Sequence, residues 1–66
     1  MGRSRLEVEA GDVVKSKDKR VHDNLWDVIK VDSLIARIEN QTTGKVINYG
    51  LAVMKDFFTI HRVKDN

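Results

Sequence analysis

A chain of 66 residues without cysteine has room for one small core, and it excludes a disulfide framework or a thiolate metal site. Twelve basic and ten acidic side chains nearly cancel, which excludes attachment to nucleic acid by bulk electrostatics alone. No apolar run approaches the roughly 20 residues of a membrane helix, so no membrane association is expected and the cytoplasm is the default compartment.

Met1-Gly2-Arg3-Ser4-Arg5 is short, polar and terminal, and is expected to be a disordered arm. Its charges are not followed by the apolar stretch of a signal peptide. Leu6 stands where a myristoylation signal has Ser or Thr. A single domain is expected over 6–63, with a polar tail at 64–66. Leu6-Glu7-Val8-Glu9-Ala10 alternates apolar and charged residues, which predicts a short strand with one buried face. Gly11-Asp12 is a turn signal, and Val13-Val14-Lys15 starts a second extended piece. Residues 16–24 hold one apolar side chain, Val21, and form a loop that is long for so small a domain. Such loops on a rigid scaffold often carry function.

Residues 25–49 read as an antiparallel meander rich in Val, Ile, Trp and Tyr, which suit a pleated surface. Leu25–Asp32 is apolar on both alternating sets. It is expected to be a central, covered strand, or one that bends so that its ends face different parts of the core. Asp32-Ser33 is the expected tight turn. In Ser33–Asn40 the even set (Leu34, Ala36, Ile38) faces inward and the odd set is mixed, so one face is wet. Gln41–Gly44 turns the chain again, with Gly44 suited to a positive φ. Lys45–Tyr49 follows, with Ile47 and Tyr49 facing inward or packing on a neighbour. Leu51, Met54 and Phe58 recur at spacings of three and four, which fits one or two helical turns. Thr59–Val63 returns to a β pattern.

Five short strands, a long loop after the first core strand and a helical turn before the last strand define the expected architecture. It is mainly β: a five-stranded antiparallel small barrel. The chain resembles the SH3-like small-barrel superfamily, which includes KOW and Tudor-type modules. Gly11-Asp12-Val13-Val14, the loop 16–24, the meander 25–49 and Leu51–Phe58 ahead of Thr59–Val63 carry the resemblance. Leu25–Asp32 has no glycine where the KOW pattern places one. The resemblance therefore implies an SH3-like fold without implying KOW-type RNA or polymerase binding.

No enzymatic chemistry is expected. His22 and His61 are the only histidines, and a metal site needs three or four placed ligands, so no metal or cofactor is expected. His22 reads as a loop residue and His61 as a strand-face residue. The serines and threonines have no motif context, and both the Walker loop and the dinucleotide fingerprint are missing. Glu7 and Glu9, at spacing two, read as a solvated strand face rather than a catalytic pair.

A binding module remains. Its expected face is built from Lys15, Lys17, Lys19 and Arg20 with the aromatic neighbours Trp26 and Tyr49. Trp26 is either a stacking platform or the largest piece of the core. Phe57 and Phe58 are expected to be buried around a bend. An exposed Phe beside Val53 and Met54 would instead make an apolar patch. The expected core is Val14, Trp26, Val28, Leu34, Ala36, Ile38, Ile47, Leu51, Phe58 and Ile60. Two functions from different classes follow. One is a regulatory or accessory module docking on a larger protein machine. The alternative is a nucleic-acid-binding module that uses the basic loop and adjacent aromatics. An oligomerising role through an unpaired edge strand is a third possibility.

Overall fold

In the computed structural model of the chain, which describes residues 6–18, 20 and 24–64, five strands form one open antiparallel sheet. They are β1 (Val13–Ser16), β2 (Leu25–Asp32), β3 (Ile35–Asn40), β4 (Val46–Gly50) and β5 (Phe58–Arg62). A short helix, α1 (Leu51–Phe57), joins β4 to β5. The spatial order is β4-β3-β2-β1-β5, so the first strand in sequence sits between the second and the last. The two edge strands are the two that α1 connects.

The doubly apolar pattern of β2 has a local cause. Val28 pairs with Ile38, but Lys30 pairs with Arg37, so Ile29 is an extra residue in a β-bulge. A bulge bends its strand and shifts the alternation by one. Trp26 and Val28 therefore face the core before the bulge and Val31, opposite Ala36, packs against it afterwards. A second irregularity, between Val13 and Val14 in the β1–β5 pair, accompanies the burial of both valines.

The turns follow side-chain chemistry. Gly11 and Gly44 take φ values of 101° and 76°, a region that glycine enters without steric cost. Asn40 is buried, and its Oδ1 accepts from the backbone N–H groups of Thr42 and Thr43, each at 2.9 Å. The side chain thus folds the 41–44 turn onto itself. The β2–β3 turn lies one residue beyond the expected position. Asp32 pairs with Ile35, so the turn residues are Ser33 and Leu34, and Ser33 carries φ 42°. Leu34 is consequently 67% exposed and is not a core residue.

The predicted strand over 6–10 is corrected as well. The segment joins no sheet, although Leu6 N–H donates to Leu51 O at 3.0 Å. Its alternation still reports a real side, because Val8 is buried and Glu7 and Glu9 are exposed. The core comprises Val8, Val14, Val28, Ala36, Ile38, Leu51, Met54 and Phe58, with Trp26, Ile47 and Tyr49 packed partly against it. Val8 and Met54 are additions to the expected set. Ile60 is a second removal: it lies opposite Val14, but on an edge strand, and is 38% exposed. Among the described residues no helix is long and apolar enough to cross a membrane. The expectations for residues 1–5, 65 and 66 lie outside the described residues.

Candidate functional site

The start of the β1–β2 loop is built by its own side chains. Asp18 N–H donates to Ser16 Oγ at 3.2 Å, and Arg20 N–H donates to Asp18 Oδ1 at 3.0 Å. The Arg20 guanidinium then closes onto the same carboxylate, with Nε to Oδ1 at 3.0 Å and a second nitrogen to Oδ2 at 3.2 Å. Those hydrogen bonds hold the Asp18 carboxyl below the usual carboxylate range and raise Arg20 in turn. Both groups are open to solvent, so the fork shapes the loop more than it stabilises the fold.

Lys17 ties this loop to α1. Its backbone N–H donates to Phe57 O at 2.9 Å, and its Nζ donates to Lys55 O at 3.1 Å. Both acceptors lie in the last turn of the helix, where carbonyls lack intrahelical partners and a cation is favoured. The helix in turn sets its two phenylalanines apart. Phe57 ends α1 and is 56% exposed, whereas Phe58 begins β5 and is buried. The expectation that both are buried is therefore corrected. Of the alternative apolar patch, Val53 and Phe57 are exposed, but Met54 is fully buried and takes no part in it.

Phe58 is the centre of an aromatic cluster. Its ring meets Tyr49 edge-on at 5.3 Å and Trp26 at 6.3 Å, an interaction worth roughly 0.5–1.5 kcal/mol per pair beyond area burial. A shallow cleft of about 430 Å³ opens beside the cluster, with Ser16, Lys17, Asp18 and Arg20 on one wall and Tyr49, Phe57 and Phe58 on the other.

Of the five expected site residues that are described, the structure brings together three: Lys17, Arg20 and Tyr49. Lys15 does not join them. It pairs with Leu25 and Thr59, is exposed, and lines a neighbouring recess that shares Ser16 and Lys17 with the cleft and adds Asn24 and Thr59. Trp26 stands behind Phe58, half-buried and packed on the core, which favours its reading as core. Lys19 and His22 lie outside the described residues. His61 lies on β5 and is exposed, as a strand-face residue. Sequence reasoning placed neither Phe57 nor Asp18 in the site. The available signal was the Phe57-Phe58 pair at a helix–strand junction, where consecutive side chains must diverge.

Among the described residues no group of three or more His, Cys, Asp or Glu is placed to hold a metal ion. The arrangement can do two things chemically: bury an apolar side chain against Phe57 and Tyr49, and offer polar groups at the rim. Comparison of the chain with protein-family models, curated proteins and solved structures returns no match.

Proposed function

We propose that this chain is a non-catalytic accessory module that docks on a larger protein through the cleft between the 16–20 loop and α1, and that its sheet is that of an SH3-like small barrel. The barrel reading is supported by the strand order, in which β4 and β5 are the two edges and α1 connects them. It is supported further by the 5.3 Å contact of Tyr49, on β4, with Phe58, on β5, across the gap between those edges.

One observation carries the choice of a protein partner. Phe57 is 56% exposed beside Tyr49, while the two cations of the cleft already have internal acceptors, Lys17 on Lys55 O and Arg20 on Asp18. Large aromatics with a polar rim are the anchors of protein interfaces. A phosphate-tracking surface needs converging cations, each phosphate contact adding a salt slope of about −0.7 to −0.9. Lys15 shares a neighbouring recess with Lys17 but does not line the cleft that holds Arg20.

The test is affinity capture from the native cell with the parent chain and with Phe57→Ser, partners being identified by mass. The expected result is a protein retained by the parent and lost by the variant. Identical capture by both would remove the cleft from the interface. A parallel titration with single- and double-stranded oligonucleotides is expected to show no binding. Binding with a salt slope of about −2 would instead support nucleic acid.

A further inference from the structure

β4 is an edge of the sheet, and its open side faces no other strand. Two hydrogen bonds flanking it fix which backbone groups look outward. Asn40 N–H donates to Lys45 O and Leu51 N–H donates to Leu34 O, each at 2.8 Å. Backbone direction alternates along an antiparallel strand, so Lys45, Ile47, Tyr49 and Leu51 turn toward β3. The N–H and C=O groups of Val46 and Asn48 therefore point away from it. No described backbone group in a turn, loop or cap pairs with them. Tyr49 meets Phe58 through its ring, which leaves the β4 backbone unpaired on its open side. Natural edges are usually blunted by charge, proline or a bulge. β4 reads Val46-Ile47-Asn48-Tyr49-Gly50, without charge or proline, and its register with β3 is unbroken. The other edge, β5, carries His61 and Arg62 and has an irregular register.

The outer face beside this edge is charged. Lys30 on β2 lies directly opposite Arg37 on β3, and Arg37 lies opposite Asn48 on β4. All three are exposed, and with Asp32 and Ile35 they line one recess of about 200 Å³. Like charges directly opposite on neighbouring strands repel. Among the described residues neither cation has an ion pair, Asp32 included. We infer that the free edge of β4 takes up an extended segment of a partner protein as an added strand, with a carboxylate side chain beside Asn48 that reaches the Arg37 guanidinium in the field of Lys30. Strands stand about 4.8 Å apart, so the added residue lies about 10 Å from Arg37, backbone to backbone, within the combined reach of a glutamate and an arginine. Charge complementarity selects the occupant. A lysine at that place would meet like charge. A second β4 of this chain would add its own Lys30 and Arg37 to the row and leave every cation in it without a counter-charge. The next row is acidic, with Asp27 opposite Glu39 and Glu39 opposite Val46, so the added residue beside Val46 is not acidic. The recess shares no residue with the aromatic cleft, and the inference survives the failure of that site.

The experiment titrates the isotopically labelled full chain with short synthetic peptides, followed by NMR. The first peptide alternates threonine with valine and carries one central glutamate in the threonine set. The second has lysine in that place. The third repeats the first with alternate backbone amides N-methylated, which removes the donors that strand pairing needs. Saturable shifts at Val46, Asn48 and Arg37 are expected with the glutamate peptide, together with slowed hydrogen exchange of the Val46 and Asn48 amides. The lysine peptide should bind about fivefold more weakly, and the methylated peptide should not bind. Arg37→Gln should abolish the preference for glutamate over lysine while strand pairing persists. Asn48→Pro removes an outward N–H without touching the β3 ladder and should weaken the glutamate peptide at least about tenfold. Both positions are exposed, and retention of the parent's melting transition confirms folding. Absent binding, equal binding of the methylated peptide, equal affinity for glutamate and lysine peptides, or unprotected Val46 and Asn48 amides would overturn the inference. So would a peptide-free dimer in which those amides are already protected, since the occupant would then be a second copy of this chain.

Discussion

The backbone N–H of Lys64 donates to Asp12 Oδ1 at 2.6 Å, across a sequence separation of 52 residues. The other carboxylate oxygen accepts from Glu9 N–H at 2.9 Å, and the Asp12 carbonyl accepts from Val28 N–H at 2.9 Å. One buried side chain thus ties the segment before β1 to the chain after β5, while its backbone holds β2.

Replacing Asp12 by Ala removes both side-chain hydrogen bonds, each worth about 1.5–3 kcal/mol when the acceptor is charged. A loss of about 3 kcal/mol is expected, close to the whole stability of a domain this small, about 3–5 kcal/mol. Asp12→Asn keeps the shape and one acceptor oxygen and should cost less. Urea midpoints at unchanged slope read both effects. A midpoint equal to the parent's for Asp12→Ala would show that the 9–64 connection is dispensable.

Ile38 is fully buried opposite Val28 and Ile47 at the middle of the sheet. Ile38→Ala should cost about 2–5 kcal/mol through lost burial and a residual cavity. Leu34→Ala, in the exposed turn, should fall within about 0.5 kcal/mol of the parent. The contrast tests the register directly. Similar losses at both positions would mean that the inward set begins at Leu34, as the sequence pattern alone suggests.

These two residues show how far sequence carries. Alternation in 33–40 places Ala36 and Ile38 inward correctly, because a half-buried strand writes its face into its period. Leu34 belongs to the same period but falls in the turn, and hydrophobic spacing does not encode where a hairpin ends. The ambiguity in β2 was visible as two apolar sets; the bulge at Ile29 that resolves it leaves no residue signature. Ile60 follows the inward period too, yet the edge position of β5 leaves it uncovered. In the cleft, the basic loop and Tyr49 were legible from charge and aromatic content. The Asp18–Arg20 fork was not, since it depends on a local loop conformation. Nor was the exposure of Phe57, which depends on where α1 stops.

The Asp18–Arg20 fork makes a pH prediction. Arg20 hydrogen bonds lower the Asp18 pKa in the folded chain. A depressed carboxyl contributes its stabilisation above the unfolded value and loses it as pH falls through the folded value. The fork should therefore persist through neutral and mildly acidic pH and open only below the usual carboxylate range. Carboxyl carbon shifts followed by NMR should show Asp18 titrating lower than an ordinary aspartate, and Arg20→Gln should return it toward the usual value. Because Arg20 is exposed and Asp18 is open to solvent on one side, the melting temperature should hardly respond. An Asp18 titration insensitive to Arg20→Gln would show that the fork does not form in solution.

Lys17 and Phe57 have separable roles at the cleft. The Lys17 ammonium serves the Lys55 carbonyl in the last turn of α1, and its loss should reduce stability by about 0.3–1 kcal/mol. Phe57 is mostly exposed, so Phe57→Ser should leave stability within about 0.5 kcal/mol of the parent. Binding should respond in the opposite order. An aromatic anchor truncated at the centre of an interface costs about 2 kcal/mol or more, whereas a rim cation costs little. Once the partner is in hand, Phe57→Ser should weaken its affinity at least about thirtyfold. Lys17→Ala should weaken it only a few-fold, with most of its effect in the association rate and in the salt dependence. Thermal melts and calorimetric titration of the same two variants measure both quantities. If Lys17→Ala abolishes binding while Phe57→Ser does not, the cleft recognises charge rather than an apolar side chain, and the interface must be rebuilt around the loop.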